Sequence, residues 1–141
     1  MALDIRRGQL WRKEIENKPG MFADALEPFS KQSLNLQIVM GYAKSTDQTK
    51  GAVEIYPVTD ANYVQCAEAA GLKRMAEATC LIVEGEDKPG IAYAIAKVIA
   101  DAGINMHFAM CQSVDKQFQA CFGFASEADA DQAEKAIISI S

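Results

Sequence analysis

Two Lys-Pro-Gly turns, at residues 18–20 and 88–90, are the features of this chain best suited to hold a small anion. In each turn an extended segment ends and an apolar pattern with helical spacing begins. Glycine lets the backbone approach a ligand closely, and the first N–H groups of a helix have no partner within that helix. The first apolar residues of these helical patterns are Met21 and Ile91. The two turns therefore predict a place for a carboxylate at each helix start.

An asparagine follows each turn at the same distance, Asn35 in one case and Asn105 in the other. An amide side chain can donate and accept hydrogen bonds, which suits both ends of an amino-acid zwitterion. Two simpler interpretations stay open. Each Lys-Pro-Gly sequence can be only a stable turn, and each asparagine can satisfy backbone groups at a strand edge.

The turns belong to an internal duplication with an offset of 70 residues. Residues 16–20, Glu-Asn-Lys-Pro-Gly, recur as residues 86–90, Glu-Asp-Lys-Pro-Gly, and the hydrophobic-Asn-hydrophobic sequence at 34–36 recurs at 104–106. A repeat of this length is too long for a solenoid or a propeller blade. It predicts two copies of one small globular unit.

The hydrophobic pattern predicts the order strand, helix, strand, strand, helix in each copy. In the first copy these elements are Gln9–Glu16, Gly20–Ser33, Leu34–Met40, Gly51–Tyr56 and Ala61–Ala70. In the second copy they are Thr79–Glu84, Ile91–Ala102, Ile104–Ser113, Phe118–Phe124 and Ala128–Ile138. A fourth strand is expected after each copy, and Leu72–Glu84 can form one long strand that serves both. Residues before Gln9 can fill the remaining vacancy.

This order predicts an α+β fold of ferredoxin-like βαββαβ units in tandem, with antiparallel sheets that carry their helices on one face. We expect one domain at residues 1–71 and another at residues 72–141. Units of about 70 residues are marginal as free-standing cores. The chain is therefore expected to form a homodimer or a higher homo-oligomer.

Composition excludes several classes of function. The net charge is −5, and basic residues are adjacent only in isolated pairs such as Arg6-Arg7 and Arg12-Lys13, so nucleic acid is not an expected partner. The start of the chain resembles neither a signal peptide nor an anchor, and no apolar run is long enough to cross a bilayer. The four cysteines lack Cys-x-x-Cys spacing and lie in apolar segments, which indicates reduced thiols and a cytoplasmic location.

No pattern of residues predicts catalysis, a metal site or a cofactor. His107 is the single histidine, and no nucleophile-base pair, Gly-rich phosphate loop or metal-binding cluster accompanies it. We expect it to be a structural residue on a sheet face; the alternative is that it faces a pocket, because it shares strand parity with Asn105. A three-residue turn at Asp115–Gln117 would place Cys111 opposite Cys121, so that a redox pair is one hypothesis and two small hydrophobes the other.

The Pro-Gly after the first strand, the amphipathic helix and the hydrophobic-Asn-hydrophobic start of the next strand resemble the ACT domain family in both copies. The resemblance covers roughly residues 10–56 and 80–124. It implies ligand-sensing modules of amino-acid metabolism rather than enzymes, paired so that two four-stranded sheets join side by side with amino acids bound at the junction.

Family members contact the ligand through the polar position two before the proline and through the asparagine. The resemblance thus implies ligand-binding residues Asn17, Pro19, Gly20, Met21 and Asn35 in the first copy and Asp87, Pro89, Gly90, Ile91 and Asn105 in the second. A polar residue that some members use two positions earlier is replaced by Ile15 and Gly85. Since Asn17 is neutral and Asp87 anionic, the sites are expected to be unequal.

The expected function is that of a regulatory protein that binds a small amino acid and couples occupancy to its own assembly or to a partner enzyme of metabolism. The alternative is a dimerising interaction module with no free amino-acid ligand. A screen of amino acids would separate the two.

Overall fold

The computed structural model describes residues 2–141, apart from the side chains of residues 76–78. Along these residues the elements are β1 (Leu3–Glu16), α1 (Met21–Lys31), β2 (Ile38–Ala43), β3 (Lys50–Tyr56), α2 (Ala61–Ala69), β4 (Lys73–Glu86), α3 (Ile91–Asp101), β5 (Phe108–Val114), β6 (Gln117–Phe124) and α4 (Glu127–Ile138). The fold is α+β with antiparallel strand pairs, as predicted.

The chain divides into two compact units. The first unit is Gln9–Met75, and the second unit is Ala76–Ser141 together with Met1–Gly8. The predicted division between residues 71 and 72 differs from this one because β1 and β4 each continue from one unit into the other. Each unit therefore takes one strand segment from the opposite half of the sequence.

In the first unit the strand order is β2-β3-β1-β4. The strand β3 pairs antiparallel with β1, where Trp11 lies opposite Ile55, and with β2, where Gly41 lies opposite Val53. Residues of one sheet face and of both helices form a single apolar core. Its buried members are Ala25, Phe29, Val53, Ile55, Cys66, Ala67, Ala70 and Leu72.

In the second unit the strand order is β1-β4-β6-β5, and the first part of β1 supplies the outer strand. Leu3 and Ile5 of that segment pack against the core of the unit. The core again joins one sheet face to two helices. Its buried members are Leu81, Val83, Ile91, Ile95, Ile99, Ile104, Phe118, Ala120, Phe122, Phe124, Ala130, Ala133 and Ile137.

The strand after the first helix of each unit begins later than predicted. Alternation in the sequence predicted strands from Leu34 and Ile104, but β2 and β5 begin at positions 38 and 108. The reason is the way the preceding helix ends. The N–H of Leu34 donates to the carbonyl of Phe29 at 2.9 Å and that of Ile104 to the carbonyl of Ile99 at 3.2 Å, so these residues terminate a helix instead of joining a sheet.

The predicted register of the last hairpin was wrong by one residue. β5 and β6 are joined by Asp115 and Lys116, both with positive φ (49° and 66°), which is a two-residue turn that matches strand twist. Cys111 therefore lies opposite Ala120 and not opposite Cys121. Because a shift of one residue turns a side chain to the other face, Cys111 and Cys121 face opposite sides and form no disulfide.

Candidate functional site

Each Pro-Gly turn enters its helix through a glycine in the left-handed conformation. Gly20 has a φ of 92° before α1, and Gly90 has a φ of 83° before α3. Other residue types are strained at these angles, which explains the glycine in both copies. A Cβ atom at either position would meet no atom within 4 Å. The side of each turn on which a Cβ would lie is therefore open.

The backbone N–H groups of Met21 and Ile91 are used inside the turns. The N–H of Met21 donates to the carbonyl of Lys18 at 3.4 Å, and the N–H of Ile91 donates to the carbonyl of Lys88 at 3.2 Å. Within the described residues, the next two N–H groups of each helix, at residues 22–23 and 92–93, have no backbone acceptor. The N–H groups available to an anion therefore start one residue later than the sequence indicated.

The other two helices, α2 and α4, begin with a side-chain cap. The Asp60 carboxylate accepts the N–H of Tyr63 at the start of α2, and the Ser126 hydroxyl accepts the N–H of Asp129 at the start of α4, each at 3.1 Å. Among the described residues no side chain caps α1 or α3. The helices after the Pro-Gly turns are thus the ones whose N-termini stay uncapped.

Asn17 and Asp87 attach their turns to the neighbouring hairpins. The N–H of Asn17 donates to the carbonyl of Thr49 at 2.9 Å, and that of Asp87 to the carbonyl of Lys116 at 2.8 Å. The Asn17 side chain also donates through Nδ2 to the carbonyl of Gln48 at 2.8 Å. The Asp87 carboxylate makes no corresponding contact within residues 2–141. Asn17 thus has a structural role, whereas the carboxylate of Asp87 is available.

Asn35 and Asn105 lie in the exposed loops before β2 and β5. The carbonyl of Asn35 accepts the hydroxyl of Tyr63 at 2.8 Å, which fixes this loop against α2. Within the described part of the chain, no hydrogen bond links Asn35 to residues 17–21 or Asn105 to residues 87–91. In each unit the predicted site residues therefore form two groups, one in the Pro-Gly turn and one in the asparagine loop. No hydrogen bond joins the two groups within the described residues.

Phe22 is a residue of this region that the sequence analysis did not identify. Its ring lies on Gly41 of β2, where a Cβ atom would be 2.9 Å from Cε2 of the ring, and 44% of the residue remains exposed. A glycine inside a strand can mark the close approach of another group, and that signal was present in the sequence. The equivalent positions in the second unit, 70 residues later, are Ala92 and Cys111.

A polar chain of three side chains lies on the sheet face of the first unit that points away from its helices. Glu54 is only 4% exposed and lies opposite Arg12 in β1. The guanidinium of Arg12 and the carboxylate of Glu54 both interact with the hydroxyl of Tyr42. Only the register of three strands brings these residues together, so the sequence pattern gave no sign of them.

The surroundings of Tyr42 and Arg12 raise the pKa of both groups. Burial raises the pKa of the Tyr42 phenol, and the nearby carboxylate of Glu54 raises it further. Burial disfavours the charged form of Arg12, but the interactions with Tyr42 and Glu54 raise the net pKa of Arg12 above its usual value. Tyr42 therefore stays protonated and Arg12 charged at neutral pH, an arrangement suited to structure rather than to proton transfer.

An open groove of about 520 Å³ lies between α1 and α2. Its lining residues are Asp24, Glu27, Pro28, Lys31, Gln32, Asn62, Gln65, Cys66 and Ala69. The groove contains none of the predicted ligand-binding residues. Two of its charges already neutralise each other, since Lys31 and Glu27 pair at 2.7 Å, and the thiol of Cys66 donates to the carbonyl of Pro28. We assign no function to this groove.

His107 is exposed, and its backbone N–H donates to the carbonyl of Gly123 at 2.7 Å. Across the described residues, no three His, Cys, Asp or Glu side chains are grouped so that they could hold a metal ion. No helix within residues 2–141 combines the length and the apolar character that a membrane span requires.

No protein-family model and no curated protein sequence matches this chain. Solved structures do. A protein from Bacteroides thetaiotaomicron has a TM-score of 0.73 at 9% identity, over 93% of this chain and 89% of that one. The ligand-free regulatory subunit of aspartate kinase from Thermus thermophilus has a TM-score of 0.57 at 14% identity, over 96% and 95% of the two chains.

A third match is E. coli aspartokinase III in complex with aspartate and ADP, with a TM-score of 0.56 at 14% identity. It covers 94% of this chain but 31% of the kinase. These similarities confirm, at the level of the fold, the resemblance to the ACT domain family that the repeated motif predicted. At such identities they establish the fold alone.

Proposed function

We propose that this protein is a regulatory sensor that binds a free amino acid at a Pro-Gly turn and passes its occupancy to a partner enzyme or to its own assembly. The proposed ligand contacts are Asn17, Pro19, Gly20, Met21, Asn35, Asp87, Pro89, Gly90, Ile91 and Asn105. In this role the protein has no catalytic residue and no cofactor, and a cytoplasmic location stays a prediction.

The observation that carries the proposal is the difference in capping between the two kinds of helix. α2 and α4 begin with a side-chain cap, whereas α1 and α3 begin after a left-handed glycine with no side-chain cap among the described residues. Uncapped N–H groups and the positive end of the helix dipole favour an anion. The carboxylate of an amino acid is an anion that fits this position without any metal.

The ammonium group of the same ligand needs an acceptor. The Asp87 carboxylate can be this acceptor in the second unit. The amide oxygen of Asn35 in the first unit and that of Asn105 in the second can also accept a hydrogen bond from the ammonium group. The fold offers independent support, because regulatory subunits of aspartate kinase share it. A role in the control of a biosynthetic enzyme is consistent with that fold but rests on analogy.

A thermal-shift screen of the whole chain against the twenty standard amino acids tests the proposal. A ligand at 100 times its dissociation constant stabilises the folded state by about 2.7 kcal/mol, so a true ligand raises the Tm clearly. If no amino acid changes the Tm, the sensor proposal fails and the alternative, an interaction module without a free amino-acid ligand, replaces it.

A matched pair of variants then locates the site. Gly90→Val is expected to abolish or weaken binding, because the new side chain enters the open space beside the N-terminus of α3. Gly103→Val is the control: Gly103 also has a positive φ (74°) and open space around its Cβ position, but it follows α3 instead of preceding it. Loss of binding in both variants to the same degree would contradict a site at the turn.

A further inference from the structure

The two units differ in the space beside the start of their first helix. In the first unit the Phe22 ring, attached at the second residue of α1, covers Gly41 on the helix-facing side of β2. The two approach so closely that a Cβ atom on Gly41 would lie 2.9 Å and 3.0 Å from two ring carbons. The ring therefore fills the cleft between the helix start and the edge strand.

The second unit has small side chains at both positions. Ala92 replaces the ring, and Cys111 replaces the glycine beneath it. The register shows that the two positions are equivalent, since Gly41 lies opposite the core residue Val53 and Cys111 lies opposite the core residue Ala120. Cys111 is exposed, so a ring is missing here and the thiol does not close the space.

We infer that Phe22 closes the cleft of the first unit and that amino-acid binding is confined to the second unit, where Ala92 and Cys111 leave the cleft open. This inference rests on the proposed function, because it states which of the two turns is used. The N–H groups without a backbone acceptor belong to residues 92–93 in the second unit and to residues 22–23, which include Phe22 itself, in the first.

The open cleft also limits the ligand. Ala92 and Cys111 contribute a methyl group and a thiol, and burial raises the pKa of Cys111, so the thiol is neutral and offers no charge to a ligand side chain. The Asp87 carboxylate beside the turn is suited to the ammonium group. The site therefore fits an amino acid whose side chain is uncharged.

The shape of the clefts can be tested without any ligand, through the reactivity of thiols. Cys66, Cys80 and Cys121 are buried, so iodoacetamide should label the wild-type chain at Cys111.

We expect residue 41 of the Gly41→Cys variant to be labelled slowly, because the Phe22 ring covers it. The double variant Phe22→Ala/Gly41→Cys reproduces the second unit. Its residue 41 should be labelled at about the rate of Cys111, on the order of tenfold faster than in Gly41→Cys alone. Mass spectrometry of the tryptic peptides measures both rates. Equal labelling at residue 41 with and without Phe22 would overturn the closed cleft.

Two further measurements test the assignment of the ligand to the second unit. Calorimetry of the wild-type chain with each amino acid that raises the Tm should give one equivalent bound per chain, and that amino acid should slow the labelling of Cys111. The double variant Ala92→Phe/Cys111→Gly reproduces the first unit and should bind at least about tenfold more weakly. If the double variant fails to fold, the single variant Ala92→Phe tests the closure instead, because the new ring should slow the labelling of Cys111.

Binding of two equivalents per chain, or unchanged affinity in the folded Ala92→Phe variants, would overturn the inference while leaving the proposed function intact. Absence of any amino-acid ligand would instead remove the proposed function, and with it the assignment of binding to the second unit. The labelling rates at residue 41 would still report on the cleft itself. The two failures are thus distinguishable.

Discussion

On the sheet face away from the helices, the first unit carries a polar chain where the second unit carries mostly apolar or small residues. The equivalent pairs are Arg12 and Ile82, Tyr42 and Gln112, and Glu54 and Cys121. On the helix-facing side both units instead keep a continuous apolar core. The helix-facing residues therefore specify this fold, and the opposite face and the helix starts are free to diverge between the copies.

The largest effect is expected from cutting the chain where the sequence suggested a boundary. A fragment of residues 1–71 keeps the part of β1 that belongs to the second unit and loses the part of β4 that belongs to the first. Because each unit is marginal in size, we expect the fragment to lack a cooperative unfolding transition or to self-associate. Circular dichroism and sedimentation measure this. A monomeric fragment with a sharp transition would contradict the exchange of strands.

Tyr42→Phe should destabilise the first unit by about 1 kcal/mol, because it removes a half-exposed hydroxyl that interacts with Arg12 and with the nearly buried Glu54. Urea unfolding measures the change. Tyr93→Phe makes the same chemical change at a residue of the second unit that is 70% exposed, and should alter stability by less than about 0.5 kcal/mol. Equal effects would mean that the polar chain does not stabilise the first unit.

Asn105→Ala should weaken amino-acid binding by about 1.5 kcal/mol, or about tenfold in Kd, because a hydrogen bond to a charged ligand group is lost. Asn35→Ala should change the Kd little, since the first unit is closed by Phe22. Calorimetry of both variants with one ligand compares them. Matched losses would show that the two units bind alike.

Asp60→Ala and Ser126→Ala should each reduce stability by about 1 kcal/mol, because each removes the side-chain cap of a helix. Here the units are predicted to behave in the same way. Thermal unfolding of the two variants provides the measurement, and a clearly unequal pair of losses would show that the helices contribute differently to the two cores.

The smallest effect concerns Glu14 on β1, whose exposed carboxylate pairs with Lys44. The hydrogen bond from Lys44 lowers the pKa of Glu14. A carboxyl whose pKa is lower in the folded state stabilises the fold above its unfolded pKa and loses that contribution as the pH falls through the folded value. Lys44→Met should raise the pKa of Glu14 toward its ordinary value, as followed by NMR titration. An unchanged titration would mean that the pair does not persist in solution.

The sequence predicted the features that depend on local pattern. The Pro-Gly turns and the four helices follow from periodicity and from residue types with defined local preferences. The segment Leu72–Glu84 was also predicted as one long strand, and β4 runs from Lys73 to Glu86.

Features that depend on register or on tertiary contact were not predictable in this way. Alternation at Leu34 looked like a strand, but the hydrogen bond to Phe29 makes it a helix end. The turn between β5 and β6 is one residue shorter than predicted, so Cys111 does not lie opposite Cys121. The contact of Phe22 with Gly41 joins residues that are 19 positions apart in the sequence. Hydrophobic periodicity indicates whether a segment is a helix or a strand, but it does not indicate which other segment it packs against or pairs with.

The left-handed glycines at the two helix starts have a consequence for chemical synthesis of this protein. A D-amino acid favours the positive φ that Gly20 and Gly90 adopt, for the same steric reason that an L-residue avoids it. D-alanine at either position would keep the turn and narrow the conformations of the unfolded chain, which stabilises by about 0.4–1 kcal/mol. Mirror-image residues thus offer a way to rigidify these turns that no genetically encoded substitution provides.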